Sequence, residues 1–479
     1  MAYDKIEQNL IVGVSTGGDN TNSGCFAYES TNAGIDRTDQ DAAHVDFSDG
    51  SASGVTATTQ TGDSYLNRRR VVVSGYTVTD DDIGNTILLD SDSGASVFEG
   101  LHRISSVDTT GNYWNFNRDI RDNSSDAGTE TVTGKMGGRF ADPFFYRSKM
   151  HVWYNIGYVF NVYIKSGTYT AAAGNALDST AITYMPYAER WVGYTTTRGD
   201  HYLGGARPII DIPSSLDYAG TVFDMPDQWA SSVTFLELHC GGKASKGIKL
   251  NGGFSTAYSC VVKDCDDGSG PAPYNTAYYG RGSVIACHAE NCQYGYFYYI
   301  ACHQCSAENC DIGFSLSYHG DQANYCLANN CTSWGFKISG DGMNPVGCVA
   351  YDCDSVGIQL NNRGPAYGCG AHSCGKGFYA IYAPQLVDCW AYNNTTNFDE
   401  SVNDYQFVHT QTLTADPFES STDFRLNDAE AGGALLAGKG IGFGGGTQTS
   451  YDDINAFVTE PAGSGSTTVV TPGPVQIGM

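Results

Sequence analysis

The sequence repeats one short motif between residues 260 and 394: CVVKDC (260–265), CHAENC (287–292), CSAENC (305–310), CLANNC (326–331), CVAYDC (348–353), CGAHSC (369–374) and the incomplete copy CWAYNN (389–394). Successive copies start 27, 18, 21, 22, 21 and 20 residues apart. In five places a glycine and a large apolar residue follow the copy, as in Gly313–Phe314 and Gly335–Phe336. Recurrence at a period of 20 to 50 residues is typical of stacked repeats. We therefore expect each copy to form one coil of a solenoid.

Alternation within the motif predicts which side chains face inward. Successive side chains of a strand point to opposite faces, so the first Cys and the Ala share one face, while Lys263, Glu290, Glu308 and Tyr351 share the other. The Asn or Asp at the fifth place tolerates a left-handed conformation, which bends the chain and returns the second Cys to the interior. Parallel crossovers are right-handed. The sequence thus predicts an all-β protein, a right-handed parallel β-helix of about 21 residues per coil with internal Cys, Ala and Asn ladders.

Twelve cysteines form the predicted structural ladder: Cys260, Cys265, Cys287, Cys292, Cys305, Cys310, Cys326, Cys331, Cys348, Cys353, Cys369 and Cys374. A buried free Cys behaves as a small hydrophobe, and we expect these thiols to be reduced. Disulfides between neighbouring coils are the alternative, since coils about 4.8 Å apart lie within the allowed Cα spacing. The spacing matches no common zinc pattern.

Three regions differ in composition. We expect a small β domain for anchoring or assembly at residues 1–145, the β-helix at 146–403, and a C-terminal cap with a Gly-rich extended arm at 404–479. The last part contains GFGGG (442–446) and a stretch rich in Pro, Gly, Ser and Thr, typical of an arm that orders on a neighbour.

Charge and hydropathy exclude several function classes. The 479 residues carry 26 Lys and Arg against 52 Asp and Glu, a formal charge of −26, which disfavours nucleic acid or an anionic membrane as a partner. No run of eighteen apolar residues is present, so we expect no membrane insertion. The first residues also lack the pattern of a secretory signal, and we expect synthesis in a cytoplasm.

Outward carboxylates provide the candidate catalytic pair. Glu290 and Glu308 take the same outward position on consecutive coils, near the separation that retaining glycosidases require. A ladder produces such neighbours automatically, and the following residues of the column (Asn329, Tyr351, His372 and Tyr392) are typical of a solvated face. We therefore expect no catalytic residue, and keep Glu290 and Glu308 as candidates.

Further candidates concern ligand contacts. The aromatic residues Tyr274, Tyr278, Tyr279, Trp390 and Tyr392 are candidates for contact with a glycan or partner, because aromatic rings pack against the apolar face of a sugar. Asp264, Asp266 and Asp267 are candidate ligands of a hard cation such as Ca²⁺, although no calcium-loop pattern surrounds them. We expect neither a resident metal nor a cofactor.

The chain resembles the β-helix structural proteins encoded by tailed bacteriophages. The resemblance rests on YTVTDDDIGNT (76–86), VYIKSGTYT (162–170), the cysteine coils and DFRL (423–426), and spans about residues 70 to 460. It implies a virion component, often trimeric, found as a tailspike, fibre or capsid decoration. Assembly in a reducing bacterial cytoplasm suits the reduced thiols.

The expected function follows from these features. We expect a non-enzymatic protein on the virion surface, made in the bacterial host cytoplasm, that aids particle assembly or host attachment. Its expected partners are other virion proteins, two further copies of itself in a homotrimer, and a bacterial surface glycan. The alternative is a tailspike depolymerase, a polysaccharide lyase or glycoside hydrolase on the same scaffold.

Overall fold

The computed structural model describes residues 8–426, with gaps at 19, 21–24, 29–33, 48–54, 61–66, 90–99, 117–118, 121–130, 145–157, 172–187, 204, 216–219, 226–230, 243–245, 266–274, 299, 318–321, 340–343, 362–363, 383, 400–405 and 421–422. The chain forms two compact units, Met1–Ile209 and Ile210–Met479. The Gly-rich part of the expected arm lies outside the described residues.

The first unit contains thirteen described strands. They are β1 (Gln8–Val14), β2 (Cys25–Tyr28), β3 (Val45–Asp46), β4 (Thr56–Thr59), β5 (Arg70–Ser74), β6 (Thr86–Leu89), β7 (Gly100–Asp108), β8 (Tyr113–Phe116), β9 (Thr131–Val132), β10 (Gly134–Met136), β11 (Tyr158–Lys165), β12 (Gly167–Thr170) and β13 (Ala188–Tyr194). Short 3₁₀ turns lie at Asn67–Arg69, Asp80–Asp82 and Asp200–Leu203.

An antiparallel β-sheet lies near the N-terminus. Eight strands form a sheet in the order β3-β10-β6-β7-β8-β5-β4-β9, and the strand pairs described within it are antiparallel. Its core packs around the fully buried Trp114, whose indole N–H donates to Asp82 Oδ2 at 3.0 Å.

Strand β1 differs from the expected domain organisation. It pairs in parallel with β11, from Gln8 opposite Tyr158 to Val14 opposite Ile164, and β11 pairs in parallel with β13. Val12 and Val14 are buried, so the alternation of this short strand is satisfied within a parallel sheet. The parallel pairing therefore recruits residues from before position 145.

Twenty-nine described strands follow. They are β14 (Pro208–Asp211), β15 (Thr221–Met225), β16 (Ser232–Thr234), β17 (Glu237–His239), β18 (Lys246–Leu250), β19 (Thr256–Tyr258), β20 (Val261–Lys263), β21 (Thr276–Gly280), β22 (Gly282–Ile285), β23 (His288–Glu290), β24 (Tyr294–Phe297), β25 (Ile300–His303), β26 (Ser306–Glu308), β27 (Ile312–Leu316), β28 (Gln322–Asn324), β29 (Leu327–Asn329), β30 (Trp334–Ile338), β31 (Val349–Tyr351), β32 (Val356–Leu360), β33 (Ala366–Tyr367), β34 (Gly370–His372), β35 (Lys376–Ala380), β36 (Gln385–Val387), β37 (Trp390–Tyr392), β38 (Thr396–Asp399), β39 (Gln406–Val408), β40 (Gln411–Thr412), β41 (Phe418–Ser420) and β42 (Asp423–Leu426).

These strands confirm the predicted right-handed parallel β-helix. The coils of the second unit contribute strands to three β-sheets, which form the walls of the solenoid, and the strands within each sheet are parallel. The first sheet comprises β16-β19-β22-β25-β28 and β33-β36-β39, joined through single bridges at Val346; the second comprises β17-β20-β23-β26-β29-β31-β34-β37-β40; the third comprises β15-β18-β21-β24-β27-β30-β32-β35-β38. Strands β39 and β40 still pair in parallel, so the stacking extends to Thr412, beyond the expected end at residue 403.

The corners explain the spacing of the cysteines. The predicted left-handed residues are present before the second cysteine of each copy: Asp264, Asn291, Asn309, Asn330, Asp352 and Ser373, with φ between 51° and 58°. A second set precedes the first cysteine: Ser259, Ala286, Gln304, Tyr325, Gly347 and Gly368, with φ between 50° and 61°. Each motif is therefore a three-residue strand between two left-handed corners.

The ladder cysteines are all free and buried, together with Cys240, Cys302 and Cys389. The backbone N–H of Cys260 donates to Cys287 Sγ at 3.3 Å, and the Cys305 thiol donates to the carbonyl of Val284 at 3.2 Å. Polar atoms replace sulfur near the last coils. Asn394 Oδ1 accepts from the Cys374 N–H at 2.7 Å, and the Thr410 hydroxyl donates to the Leu386 carbonyl at 2.9 Å.

Glycines allow the second and third sheets to approach closely. A Cβ on Gly335 would lie 2.7 Å from the carbonyl oxygen of Gly357 and 3.0 Å from Ala350 Cβ. Gly313 and Gly357 have equivalent surroundings. The glycine that recurs after the motif therefore makes room for the alanine ladder of the facing sheet.

Candidate functional site

The outer face of the second sheet carries the candidate acid pair. The third residue of each strand in this sheet forms one outward column: His239, Lys263, Glu290, Glu308, Asn329, Tyr351, His372 and Tyr392. Glu290 and Glu308 are paired in register on β23 and β26, so the prediction that they are neighbours is confirmed.

Basic groups surround the first carboxylates of this face. Lys263 Nζ lies 3.3 Å from both Glu237 Oε1 and Glu290 Oε2, and His239 Nε2 lies 2.7 Å from Glu237 Oε1. The hydrogen bond with His239, followed by Lys263, lowers the pKa of Glu237 to about 2, and the same bond raises the pKa of His239. Glu237 is therefore ionised at neutral pH and is held in place by its two basic neighbours.

Glu308 has the opposite electrostatic environment. Burial, followed by repulsion from Glu290, raises the pKa of its carboxyl group, while Asn329 donates to Glu308 Oε1 at 3.3 Å. Glu290 in turn lies beside Lys263, and His288 Nε2 lies 3.9 Å from its Oε2. Two adjacent carboxyl groups in different environments can divide the roles in catalysis: one stays protonated and acts as a general acid, and the other stays ionised.

A C-terminal segment covers the other end of this face. Leu413 and Phe418 form a buried apolar cluster with Leu327, Val349 and Trp390, and Tyr351 and Tyr392 pack against it. We call residues 413–418 the strap.

The strap corrects two predicted contact residues. Trp390 is 2% exposed, with its ring centroid 5.6 Å from that of Phe418, and it cannot contact a glycan in this state. Tyr392 is half-buried, and its ring centroid lies 4.9 Å from that of His372 with the two rings tilted by 50°. The sequence pattern places both on the outer wall, but this outer wall is covered by the chain itself.

Tyr278 is also misplaced by the sequence prediction. It is fully buried in the solenoid and lies at one end of a stack that continues through Tyr296, Phe314 and Phe336, with centroid separations of 4.9, 4.5 and 4.6 Å. Its hydroxyl donates to the carbonyl of Cys260 at 2.9 Å. Strands of the third sheet turn two successive residues inward, here Ala277 and Tyr278, which strict alternation does not anticipate.

Tyr279, the next residue, lies on the outer face of the third sheet. Its ring stacks with those of Tyr298 and Phe297 at 5.4 and 6.0 Å. Lys246 Nζ lies 4.8 Å from the Tyr279 ring centroid. Tyr274 lies outside the described residues. Tyr279 is thus a predicted contact residue that is partly exposed next to other aromatic rings.

One of the three candidate cation ligands, Asp264, lies within the described residues. Asp264 occupies a left-handed corner, where its Oδ1 accepts from Asn291 Nδ2 at 3.1 Å, so it belongs to the Asn and Asp ladder. Asp266 and Asp267 lie outside the described residues. Within the described ranges, no group of three or more His, Cys, Asp and Glu side chains is arranged to hold a metal ion.

Comparison with known proteins gives structural similarity alone. No protein-family profile matches the chain, and no curated protein is significantly similar in sequence. The ORF18 protein of Geobacillus virus E2 is 12% identical over 67% of this chain and 68% of its own, with a TM-score of 0.40. The A-module of the Azotobacter vinelandii mannuronan C-5 epimerase AlgE6 is 13% identical over 53% of this chain and 76% of its own, at 0.23. The catalytic domain of a GH87 alpha-1,3-glucanase in complex with nigerose is 8% identical over 75% and 88%, at 0.24.

Among the described residues, no helix has the length and apolar character needed to cross a bilayer.

Proposed function

We propose that this chain is a non-enzymatic structural protein on the surface of a phage particle. Its β-helix would present a surface that binds a glycan of the bacterial host. The observation that carries this proposal is the interior of the solenoid. Fifteen free, buried cysteines line it, as expected of a rigid protein that assembles in a reducing cytoplasm. The proposal that the particle is a phage rests on the resemblance of the sequence motifs to tailed-phage β-helix proteins.

The outer wall supports attachment over cleavage. Glu290 is engaged by Lys263, and the aromatic end of the same wall is covered by the strap. A catalytic carboxylate pair on an open groove would need both positions accessible to substrate. A role as spike, tailspike or capsid decoration, and assembly as a homotrimer, belong to the same proposal.

Electron cryomicroscopy of the native particle tests this proposal. Density for this chain at the capsid surface or the tail is expected, in copies related by a threefold axis. Light scattering of the purified protein provides a second test, with a trimer near three times 51.2 kDa expected. Absence of the chain from purified particles would overturn the proposal.

A depolymerase is the second candidate, and one observation favours it. The raised pKa of Glu308 beside Glu290 is suited to a general acid paired with a carboxylate. Incubation with capsular polysaccharide or lipopolysaccharide would then release reducing ends or unsaturated products. Glu290→Gln and Glu308→Gln would abolish this release, whereas Glu237→Gln, two coils from Glu290 in the same sheet, would retain it.

A further inference from the structure

The three walls of the solenoid carry different charges. The strands of the third sheet contain four lysines and two aspartates, a formal +2. Those of the second sheet contain one lysine and three glutamates, and those of the first contain no Lys, Arg, Asp or Glu. The whole chain has a net charge of −26, so the strands of the third sheet differ from it in carrying an excess of cations.

Three of the four lysines of the third sheet lie over aromatic rings. Lys337 Nζ lies 4.7 Å from the ring centroid of Trp334, and Lys376 Nζ lies 4.7 Å from that of Tyr379. Lys246 takes the same position over Tyr279 at 4.8 Å. An ammonium over a ring face is attracted by the negative face of the aromatic ring. Each cation is thereby oriented before a ligand arrives, which lowers the entropy lost on binding.

The two aspartates of this wall are recessed and paired. Asp224 is 2% exposed and lies 2.9 Å from Lys249 Nζ, and Asp399 is 8% exposed and lies 2.6 Å from Lys376 Nζ. Burial, followed by repulsion from Lys249, also lowers the pKa of Lys246. Both acids of these strands are thus recessed beneath the lysines with which they pair.

The spacing of the cations indicates an extended ligand. Lys246 is on β18, Lys337 is four strands further along the sheet on β30, and Lys376 is two strands beyond that on β35. At about 4.8 Å per strand, these steps are about 19 and 10 Å, so Lys246 and Lys376, which share one register column, are about 29 Å apart. Lys337 belongs to the neighbouring column, but its Nζ lies over the ring of Trp334, which is in the column of Lys246 and Lys376. A single small anion cannot bridge such distances.

We propose that the outer face of the third sheet, from Lys246 to Tyr379, binds an acidic polysaccharide along the solenoid axis, with sugar carboxylates on the lysines and sugar rings against the aromatic side chains. The inference rests on the proposed function, because it assigns a chemical class to the surface glycan. Sparse cations suit a polymer whose charges are separated by whole sugar units. Duplex DNA carries one charge per about 1.7 Å and would be repelled by the remainder of this chain.

Binding to a panel of fluorescently labelled oligosaccharides tests the inference. The acidic probes are oligogalacturonate, alginate, hyaluronate and polysialate fragments, and methyl-esterified oligogalacturonate is the neutral match of the first. In 150 mM salt, where repulsion beyond about 8 Å is screened, we expect at least one acidic probe to bind and its neutral counterpart to bind at least tenfold more weakly.

Matched variants locate the surface. Lys246→Gln with Lys337→Gln should weaken binding of the acidic probe about tenfold, if each ammonium contributes as an exposed ion pair does. Lys263→Gln on the second sheet changes charge in the same direction and should leave affinity unchanged. Binding should also alter the fluorescence of Trp334, and Trp334→Phe should remove that change while circular dichroism confirms the fold.

The outcomes separate the inference from the proposed function. Unchanged affinity of the double lysine variant would overturn the assigned surface, and binding restricted to neutral glycans would overturn the ligand class while leaving attachment intact. Absence of binding to every glycan would overturn both. Equal competition by polyglutamate or single-stranded DNA would overturn the polysaccharide assignment in favour of an unspecific polyanion surface.

Discussion

His372 Nε2 lies 3.1 Å from Asp416 Oδ1, which joins a strand of the second sheet to the strap that covers it. The same Oδ1 accepts the backbone N–H of Phe418 at 2.9 Å. One carboxylate oxygen therefore fixes both the side chain beneath the strap and the backbone of the strap itself. Replacing Asp416 by Ala should destabilise the strap by about 1 kcal/mol, seen as faster hydrogen exchange at residues 413–418. Asp388→Ala, near the exposed His409, is the matched control and should leave exchange in the strap unchanged.

The same contact predicts a pH dependence. Burial lowers the pKa of His372 despite the opposing charges of Asp416 and Asp352. The unfolded state therefore binds the proton more readily, and strap stability that is present above about pH 6.5 is lost as the pH falls below it. The intrinsic rate of amide exchange itself falls with pH, so the observable is the protection factor, which should decrease at residues 413–418 from pH 7.5 to pH 5. His372→Gln should abolish this dependence and His409→Gln should retain it; a dependence that survives His372→Gln would contradict the assignment.

Glu237 and Glu308 should respond to pH in opposite directions. Glu237, with a pKa lowered to about 2, stabilises the fold above about pH 4.5 and loses this effect as the pH falls toward 2. Glu308, with a raised pKa, loses its contribution as the pH rises. Urea unfolding at pH 7 should therefore show a lower free energy of unfolding for Glu237→Gln and an equal or higher one for Glu308→Gln. Destabilisation of similar size by both substitutions would contradict the opposite signs.

The ladder thiols should be inaccessible in the folded protein. All fifteen described cysteines are free and buried, and burial raises the pKa of several, including Cys265, so little thiolate reaches the solvent. Ellman's reagent should titrate at most Cys25 in the native protein and all sixteen cysteines in guanidinium chloride without reductant. Fewer than sixteen after denaturation would indicate disulfides in the protein as isolated.

The glycine and alanine ladders predict a sharp contrast between two substitutions. Gly335→Ala would place a Cβ 2.7 Å from the Gly357 carbonyl and should destabilise by about 2 kcal/mol. Gly253→Ala meets no atom within 4 Å and should change stability by less than about 0.5 kcal/mol. Thermal or urea unfolding of the two variants measures this difference.

The motif predicted the coil because its information is local and repeated. Ala289 faces inward and Asn291 adopts the left-handed conformation, as alternation and residue type indicate. Ala286, Gln304 and Tyr325 also adopt positive φ, although none of these residue types favours it. Their conformation is imposed by stacking on neighbouring corners, which one sequence segment cannot reveal.

Two buried aromatic residues show which features a local sequence pattern cannot predict. Trp390 is outward by alternation, but its cover comes from Phe418, twenty-eight residues later, in a segment without the repeat. Tyr278 is buried because the third sheet turns two successive residues inward to fit glycine against alanine. The cations of the third sheet were also not evident as a group, since Lys246, Lys337 and Lys376 are far apart in the chain and share one sheet only once the coils are stacked.

The corners have a consequence for how such a chain can vary. The coil from Cys287 to Cys305 spans 18 residues and that from Cys326 to Cys348 spans 22, yet β23, β26, β29 and β31 pair without a shift in register. The register of the stacked strands therefore depends on the position of the corners and not on the number of residues in a coil. Insertions and deletions between corners alter the outer contour of a coil while leaving the stacking intact, so these arcs are the natural positions for evolutionary change and for grafting foreign peptides.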